Sequence, residues 1–249
     1  MTVLIAGCGD LGTEIGLRFA EAGHRVVGLR RSPEILPGTI EGIRCDLAHE
    51  LPPVPADTGI VVMATSADGR SEEAYRSAYV DSLRNLLDAV ELSGARPHRF
   101  LLISSTAVYG VDDGSWVDES TEPEPASRTA EILLEAERLL HARLPHAVVL
   151  RLGGIYGPGR TRLIDQIRNG TAEIPAAPQY TNRIHRDDAA AAVVHLTTAV
   201  DAPAPIYVGV DDEPAVQGDV FGFLAVELGM PHPLSGGSVP KRGSNKRLS

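Results

Sequence analysis

Lysine is almost missing from this chain. Of 249 residues only Lys241 and Lys246 are lysine, both near the C-terminus, so basic charge elsewhere is carried by arginine. Cysteine is equally scarce. Cys8 and Cys45 stand alone, which excludes a disulfide framework and any repeated metal-ligand spacing; no metal is expected. No apolar run approaches the roughly 20 residues that a membrane helix needs. The first apolar segment, Val3 to Ala6, is too short for a signal sequence and lacks a basic leader. These absences lead to the expectation of a soluble cytoplasmic protein. Positive charge is also in deficit, 23 Lys and Arg against 33 Asp and Glu, for a net charge of -10. That balance argues against nucleic acid or an anionic membrane as partner. Any phosphate this chain binds must be held by local donors against the overall field.

What is present is a regular alternation of strand and helix. Val3 to Ala6 is a short apolar run ending at glycine, as a buried parallel strand does. Leu11, Ile15 and Phe19 follow at helical spacing, and Gly23 stops that helix. Further strands are expected at Arg25 to Leu29, Gly59 to Ala64, Phe100 to Ser104 and Ala147 to Leu152, with helices from about Ser71 to Leu92 and Ala126 to Arg143. Alternation of this kind predicts an α/β fold, a Rossmann-type doubly wound parallel sheet. After Leu152 the pattern becomes shorter and less regular. The expected organisation is a nucleotide-binding domain over residues 1–152 and a smaller substrate lobe over 153–249, interleaved with the first. The stretch Ser235 to Ser249 reads as polar, basic and loose.

Gly7-Cys8-Gly9-Asp10-Leu11-Gly12 is G-x-G-x-x-G. Alone the pattern is weak, but here it follows a strand and opens a helix, the context in which it means dinucleotide binding. Gly7 permits the tight turn, Gly9 the approach of a pyrophosphate, and Gly12 close packing of helix on strand. Free N–H groups and the positive helix end then hold the phosphates. The end of the second strand selects the dinucleotide. An NAD site places an acid there for the ribose 2′-OH; this chain instead reads Leu29-Arg30-Arg31-Ser32. Guanidinium groups pair with a 2′-phosphate that a carboxylate would repel. NADP(H) is therefore favoured, with NAD(H) possible.

Four further segments, in order, resemble the extended short-chain dehydrogenase/reductases, which include nucleotide-sugar epimerases and dehydratases. They are Cys45-Asp46-Leu47, Ser104-Ser105-Thr106-Ala107-Val108-Tyr109-Gly110, the loop from Arg151 through Tyr156-Gly157-Pro158-Gly159, and Arg183-Ile184-His185-Arg186-Asp187-Asp188-Ala189. The resemblance implies that Asp46 and Leu47 meet the adenine. It also implies that Ala64, Thr65, Ser104, Gly154 and Tyr156 line the cofactor site, with Ser105 touching the reacting oxygen. The family's catalytic pair, Y-x-x-x-K, would fall on Thr129 and Leu133 here. Residues 111–155 contain no tyrosine and no lysine precedes Lys241, so no shift of alignment restores it. The chain thus resembles the atypical members that keep the cofactor site and lose this pair.

Other groups remain for chemistry. Tyr79 is a candidate phenol from the helix after Ser71; Tyr109, Arg160 and His185 are candidate substrate contacts. Asp187 or Asp188 is placed to cap the alanine-rich helix that follows. The acidic stretch from Asp112 to Glu124 reads as a solvated loop that could cover the pocket. Two functions stay open. One is an NADP(H)-dependent oxidoreductase or epimerase-like enzyme with a nonstandard catalytic group, acting on a nucleotide sugar or carbonyl compound. The other is a noncatalytic NADP(H)-binding regulator or redox sensor. The sequence leaves the oligomeric state open.

Overall fold

The computed structural model describes residues 1–236 and 245–248. Its first five strands are β1 (Thr2–Ala6), β2 (Arg25–Arg30), β3 (Glu41–Arg44), β4 (Thr58–Met63) and β5 (Arg99–Ser105). After the short β6 (Trp116–Val117) come β7 (Val148–Leu152), β8 (Gly154–Tyr156), β9 (Glu173–Ile174), β10 (Tyr180–Thr181), β11 (Arg183–His185), β12 (Ile206–Gly209), β13 (Ala215–Val216), β14 (Leu234–Ser235) and β15 (Arg247–Leu248). The helices are α1 (Asp10–Glu21), α2 (Glu72–Tyr75), α3 (Ser82–Ser93), α4 (Arg128–Arg143), α5 (Arg162–Arg168), α6 (Arg186–Thr198) and α7 (Gln217–Glu227).

Seven strands form one sheet in the order β3-β2-β1-β4-β5-β7-β12, with every neighbouring pair parallel. Strand side chains alternate between faces, and here both faces are covered. Val3 and Ile5 point into a cluster with Ile15 and Phe19 of α1 and Val193 of α6. Leu4 and Ala6 point the other way, onto Leu83 and Leu86 of α3 and Leu140 of α4. That double burial explains why β1 is apolar at four successive positions. The strand order reverses direction between β1 and β4, and such a switch point opens a crevice at the carboxyl ends of the strands.

The expected helix from Ser71 is broken into three. Ser71 caps α2 by accepting from the Ala74 N–H at 3.1 Å. A π-helical turn, Arg76–Asp81, then leads into α3. The wider turn frees carbonyls that side chains satisfy: the Thr65 hydroxyl donates to Ala78 O at 2.8 Å and the Ser82 hydroxyl to Ser77 O at 2.9 Å. Turns of this type gather at functional sites, and this one borders the crevice.

The chain beyond Leu152 returns to the main body twice, as α6 against α1 and as β12 beside β7. The strands on either side of these returns pair with one another, β8 with β11, β9 with β14 and β10 with β13. A small separate core of Ile167, Ala172, Phe221 and Ala225 joins α5 and α7. The loose character expected from Ser235 onward is corrected for residues 245–248; residues 237–244 and 249 lie outside the described residues. Arg247 and Leu248 pair with Trp116 and Val117. Lys246 is buried, and its Nζ donates to Tyr109 O at 2.7 Å. An apolar partner strand and a carbonyl acceptor outweigh the polar composition that made this stretch look solvated. Among the described residues no helix is long and apolar enough to cross a membrane.

Candidate nucleotide site

The carboxyl ends of β1, β2 and β4 open into a cleft of about 280 Å³. Gly7 and Gly9 form one wall, Arg30 and Arg31 the end of another. Asp46, Leu47, Ala64 and Thr65 complete much of the lining. The glycines differ in what they make possible. Gly7 has φ +87°, and a Cβ there would stand 2.7 Å from Thr65 N. A Cβ on Gly12 would stand 2.5 Å from Gly7 O. Both positions are therefore glycine because the fold itself allows nothing larger. A Cβ on Gly9 would meet nothing within 4 Å. Gly9 borders open space at the N-terminus of α1, where no side chain caps the helix. That combination suits a diphosphate, which needs free amides and close backbone approach.

Each β2 arginine does something different. Arg30 donates from Nη1 to Cys8 O at 3.0 Å, and its Nε is buried without a partner among the described residues. Arg31 forms a two-point ion pair with Asp68, Nη1 to Oδ2 at 2.5 Å and Nη2 to Oδ1 at 3.0 Å. Asp68 belongs to the loop after β4 and also lines the cleft; nothing in the local pattern around it announced a site residue. Asp46 and Leu47 are tied down as well. Asp46 Oδ1 accepts from Ala48 N at 3.2 Å, and Leu47 O accepts from Asn85 Nδ2 at 2.9 Å. Burial, reinforced by the Glu50 and Asp46 carboxylates, pushes the neighbouring Cys45 thiol up to about 11.

Asp10, the first residue of α1, is held by two arginines from the second half of the chain. Arg160 Nε lies 2.9 Å from its Oδ2, and Arg186 Nη1 lies 3.1 Å from its Oδ1. Arg160 thus reaches the rim of the glycine turn. Leu11 and Gly12 are buried beneath that turn.

The helix face that would carry the family's catalytic pair is structural here. Thr129 makes a 3.2 Å contact with the Ser127 hydroxyl. Leu133 is buried among Val108, Tyr109, Leu134 and Leu248. One turn further, Glu137 is paired with Arg151 at 2.6 Å, both enclosed. Ser104 donates to Glu137 Oε1 at 2.5 Å, and Tyr109 accepts from Arg151 Nη1 at 2.7 Å. Tyr109 is fully enclosed, so the structure puts it in the core beneath the strand end and not on a surface that a substrate could touch.

Ser105 sits at the end of β5, partly exposed, and its hydroxyl accepts from Ala107 N at 3.2 Å. Tyr79 lies in the π-helical turn and packs against the cluster around Leu133. Burial, with Tyr75 beside it, pushes its phenol up to about 12. Gly154 and Tyr156 lie in β8, opposite Arg183 and His185 of β11. The Tyr156 and His185 rings meet edge to face at 5.3 Å. His185 Nδ1 accepts from Asp187 N at 3.3 Å and caps α6. This corrects the expectation that Asp187 or Asp188 caps it: the extended residue just before the helix is His185, and both acids already lie in the first turn. Among the described residues no group of three His, Cys, Asp or Glu converges on a metal position.

Residues 3–209 match the NAD-dependent epimerase/dehydratase family. Among solved structures, a Methylobacillus flagellatus protein assigned as an NAD-dependent epimerase/dehydratase is 36% identical, with a TM-score of 0.79, over 100% of this chain and 88% of that one. MoeE5 in complex with UDP-glucose and NAD is 24% identical, with a TM-score of 0.82 and the same coverage. A Bacillus cereus UDP-glucuronic acid 4-epimerase, in complex with UDP-glucuronic acid and NAD, is 21% identical, with a TM-score of 0.80, over 100% of this chain and 89% of that one. No curated protein matches the chain.

Proposed function

The chain belongs to the NAD-dependent epimerase/dehydratase family, and we propose that it binds NADP(H) in preference to NAD(H) and uses it on a carbonyl compound or nucleotide sugar. The observation that carries the cofactor preference is the end of β2, where Arg30 and Arg31 line the cleft and no acid occupies the strand end. Among the described residues the buried Arg30 Nε has no hydrogen-bond partner, and an unmade hydrogen bond on a cation favours an incoming anion. When bound, the nicotinamide supplies the oxidising or reducing equivalent. The glycine turn and the α1 amides would hold the diphosphate, while Asp46 and Leu47 would flank the adenine.

In this reading Ser105 hydrogen-bonds the reacting carbonyl oxygen. Among the described residues its hydroxyl only accepts, from Ala107 N, which leaves its hydrogen for that purpose. Tyr79, at about 12, remains a phenol at neutral pH. It can donate a hydrogen bond but cannot act as a base there. Tyr156, half-exposed on β8, is the alternative proton-handling group. Gly154 and His185 would shape the far side of the same region.

A noncatalytic cofactor-binding role is the second reading. It is favoured by Leu133, an enclosed apolar side chain at the position where the family's pair has its lysine. Titration calorimetry with NADPH and NADH, followed by nucleotide-sugar and carbonyl panels monitored at the nicotinamide absorbance, separates the two readings. Preferential NADPH binding with turnover supports the enzyme. Preferential binding without turnover on any panel member supports the regulator. Equal or tighter NADH binding removes the cofactor preference.

A further inference from the structure

We propose that Asp68 sets the discrimination between the two pyridine dinucleotides by competing with a 2′-phosphate for Arg31. The inference rests on the reading of Arg31 as a 2′-phosphate ligand and adds a residue that no sequence pattern marks.

The two partners come from different strands. Arg31 follows β2 and Asp68 follows β4, with β1 and its glycine turn between them. Their ion pair therefore bridges the mouth of the cleft that both side chains line. Its geometry matters more than its strength. Both Asp68 oxygens engage two guanidinium nitrogens, at 2.5 and 3.0 Å, which is the fork that a phosphate would also occupy. That end-on fork cannot serve a carboxylate and a phosphate together: a 2′-phosphate takes it only by displacing Asp68, and one on the remaining Nε edge meets a guanidinium already paired with a carboxylate.

That displacement is easy. The two side chains are 64% and 66% exposed, and exposed pairs hold weakly. Arg30 is not neutralised in the same way, because its hydrogen-bond partner among the described residues is the uncharged Cys8 carbonyl. A dianion would thus gain two cations and repel one carboxylate. A ribose with a free 2′-OH faces the reverse situation. It cannot displace Asp68, and the carboxylate remains on the cleft wall as a hydrogen-bond acceptor. Asp68 in this way supplies, from β4, the acid that the end of β2 lacks. Arg31 holds its carboxyl below the ordinary range, so the group is ionised throughout the neutral region.

The test is a set of dissociation constants for NADPH and NADH on the full chain, wild type against Asp68→Asn, Arg31→Ala and the double variant. Binding of 2′,5′-ADP against 5′-AMP repeats the comparison without the nicotinamide. Exposure of the pair makes all three variants compatible with folding, checked by circular dichroism. Asp68→Asn is expected to tighten NADPH about tenfold and leave NADH within about twofold or weaker. The Asp68 change is expected to be silent in the Arg31→Ala background. A selectivity ratio unchanged by Asp68→Asn, while Arg31→Ala still weakens NADPH selectively, overturns this inference and leaves the arginine reading intact. An Arg31→Ala variant with undiminished preference for NADPH overturns both.

Discussion

Arg160 and Asp10 stand 150 positions apart in sequence and touch through two nitrogens, Nε and Nη2, each 2.9 Å from Oδ2. With Arg186 on the other carboxylate oxygen, they place two guanidinium groups around the acid that opens α1. That acid lies beside the amides assigned to the diphosphate. Unshielded, its charge would repel any phosphate there.

Arg160→Ala should therefore weaken NADPH and NADH alike, by about three- to tenfold. Fluorescence or calorimetric titration of both cofactors checks it. A loss confined to NADPH would move the 2′-phosphate contact from Arg31 to Arg160.

The glycines of the turn should separate stability from binding. Gly9→Ala has open space for its methyl group, so unfolding free energy should stay within about 0.5 kcal/mol of wild type. Affinity for both cofactors should fall by at least about tenfold, as the methyl enters the diphosphate space. Gly12→Ala meets Gly7 O at 2.5 Å and should lose about 1–3 kcal/mol before any ligand is added. Urea denaturation and titration on the same samples give both numbers. Equal stability losses for the two variants would refute the division of roles.

Glu137 and Arg151 are 3% and 2% exposed at the side chain. Removing one partner strands a buried charge. Glu137→Ala should cost about 3–5 kcal/mol, and an added Arg151→Met should restore much of it. Chemical denaturation of the single and double variants checks the pair. An additive double variant would mean that the two charges do not stabilise each other.

Lys246 makes stability depend on alkaline pH. Burial lowers its ammonium from 10.5 to about 8. Below about 8 the folded protein carries the full penalty of an enclosed charge. Between about 8 and 10.5 the unfolded chain binds more protons than the folded one, so stability rises with pH, by up to about 1.4 kcal/mol per unit. Cys45, raised from 9.0 to about 11, acts in the opposite sense above pH 9. The clean window is pH 8 to 9, where wild type should gain stability relative to Lys246→Met. A constant difference across that window would contradict the assignment.

Much of this arrangement was legible in the residues themselves. The strand–glycine–helix opening needs no partner from elsewhere, so Gly7, Gly9 and Gly12 can be read directly, as can the two arginines at the end of β2. Motif order carried the family. Contacts between distant segments were not legible. Asp68 is one acid in the polar loop 64–71, and only the pairing of β1 with both β2 and β4 brings it to Arg31. The β3 strand, Glu41–Arg44, has little apolar character because it is the sheet edge. Tyr109 sits in a motif associated with function, yet its hydroxyl is consumed by a buried arginine that the pattern could not locate. The cap of α6 went to His185 because capping depends on backbone angle at one residue, and composition shows only which neighbours are acidic.

The position of Leu133 bears on any attempt to rebuild an ordinary active site. Writing tyrosine at 129 and lysine at 133 would deliver the new ammonium into a chamber walled by Val108, Leu134 and Leu248, with β15 as its lid. Two codon changes would therefore install the letters of the motif without a usable acid–base couple. A working graft would also have to swing the closing strand aside and give water a path to the cation.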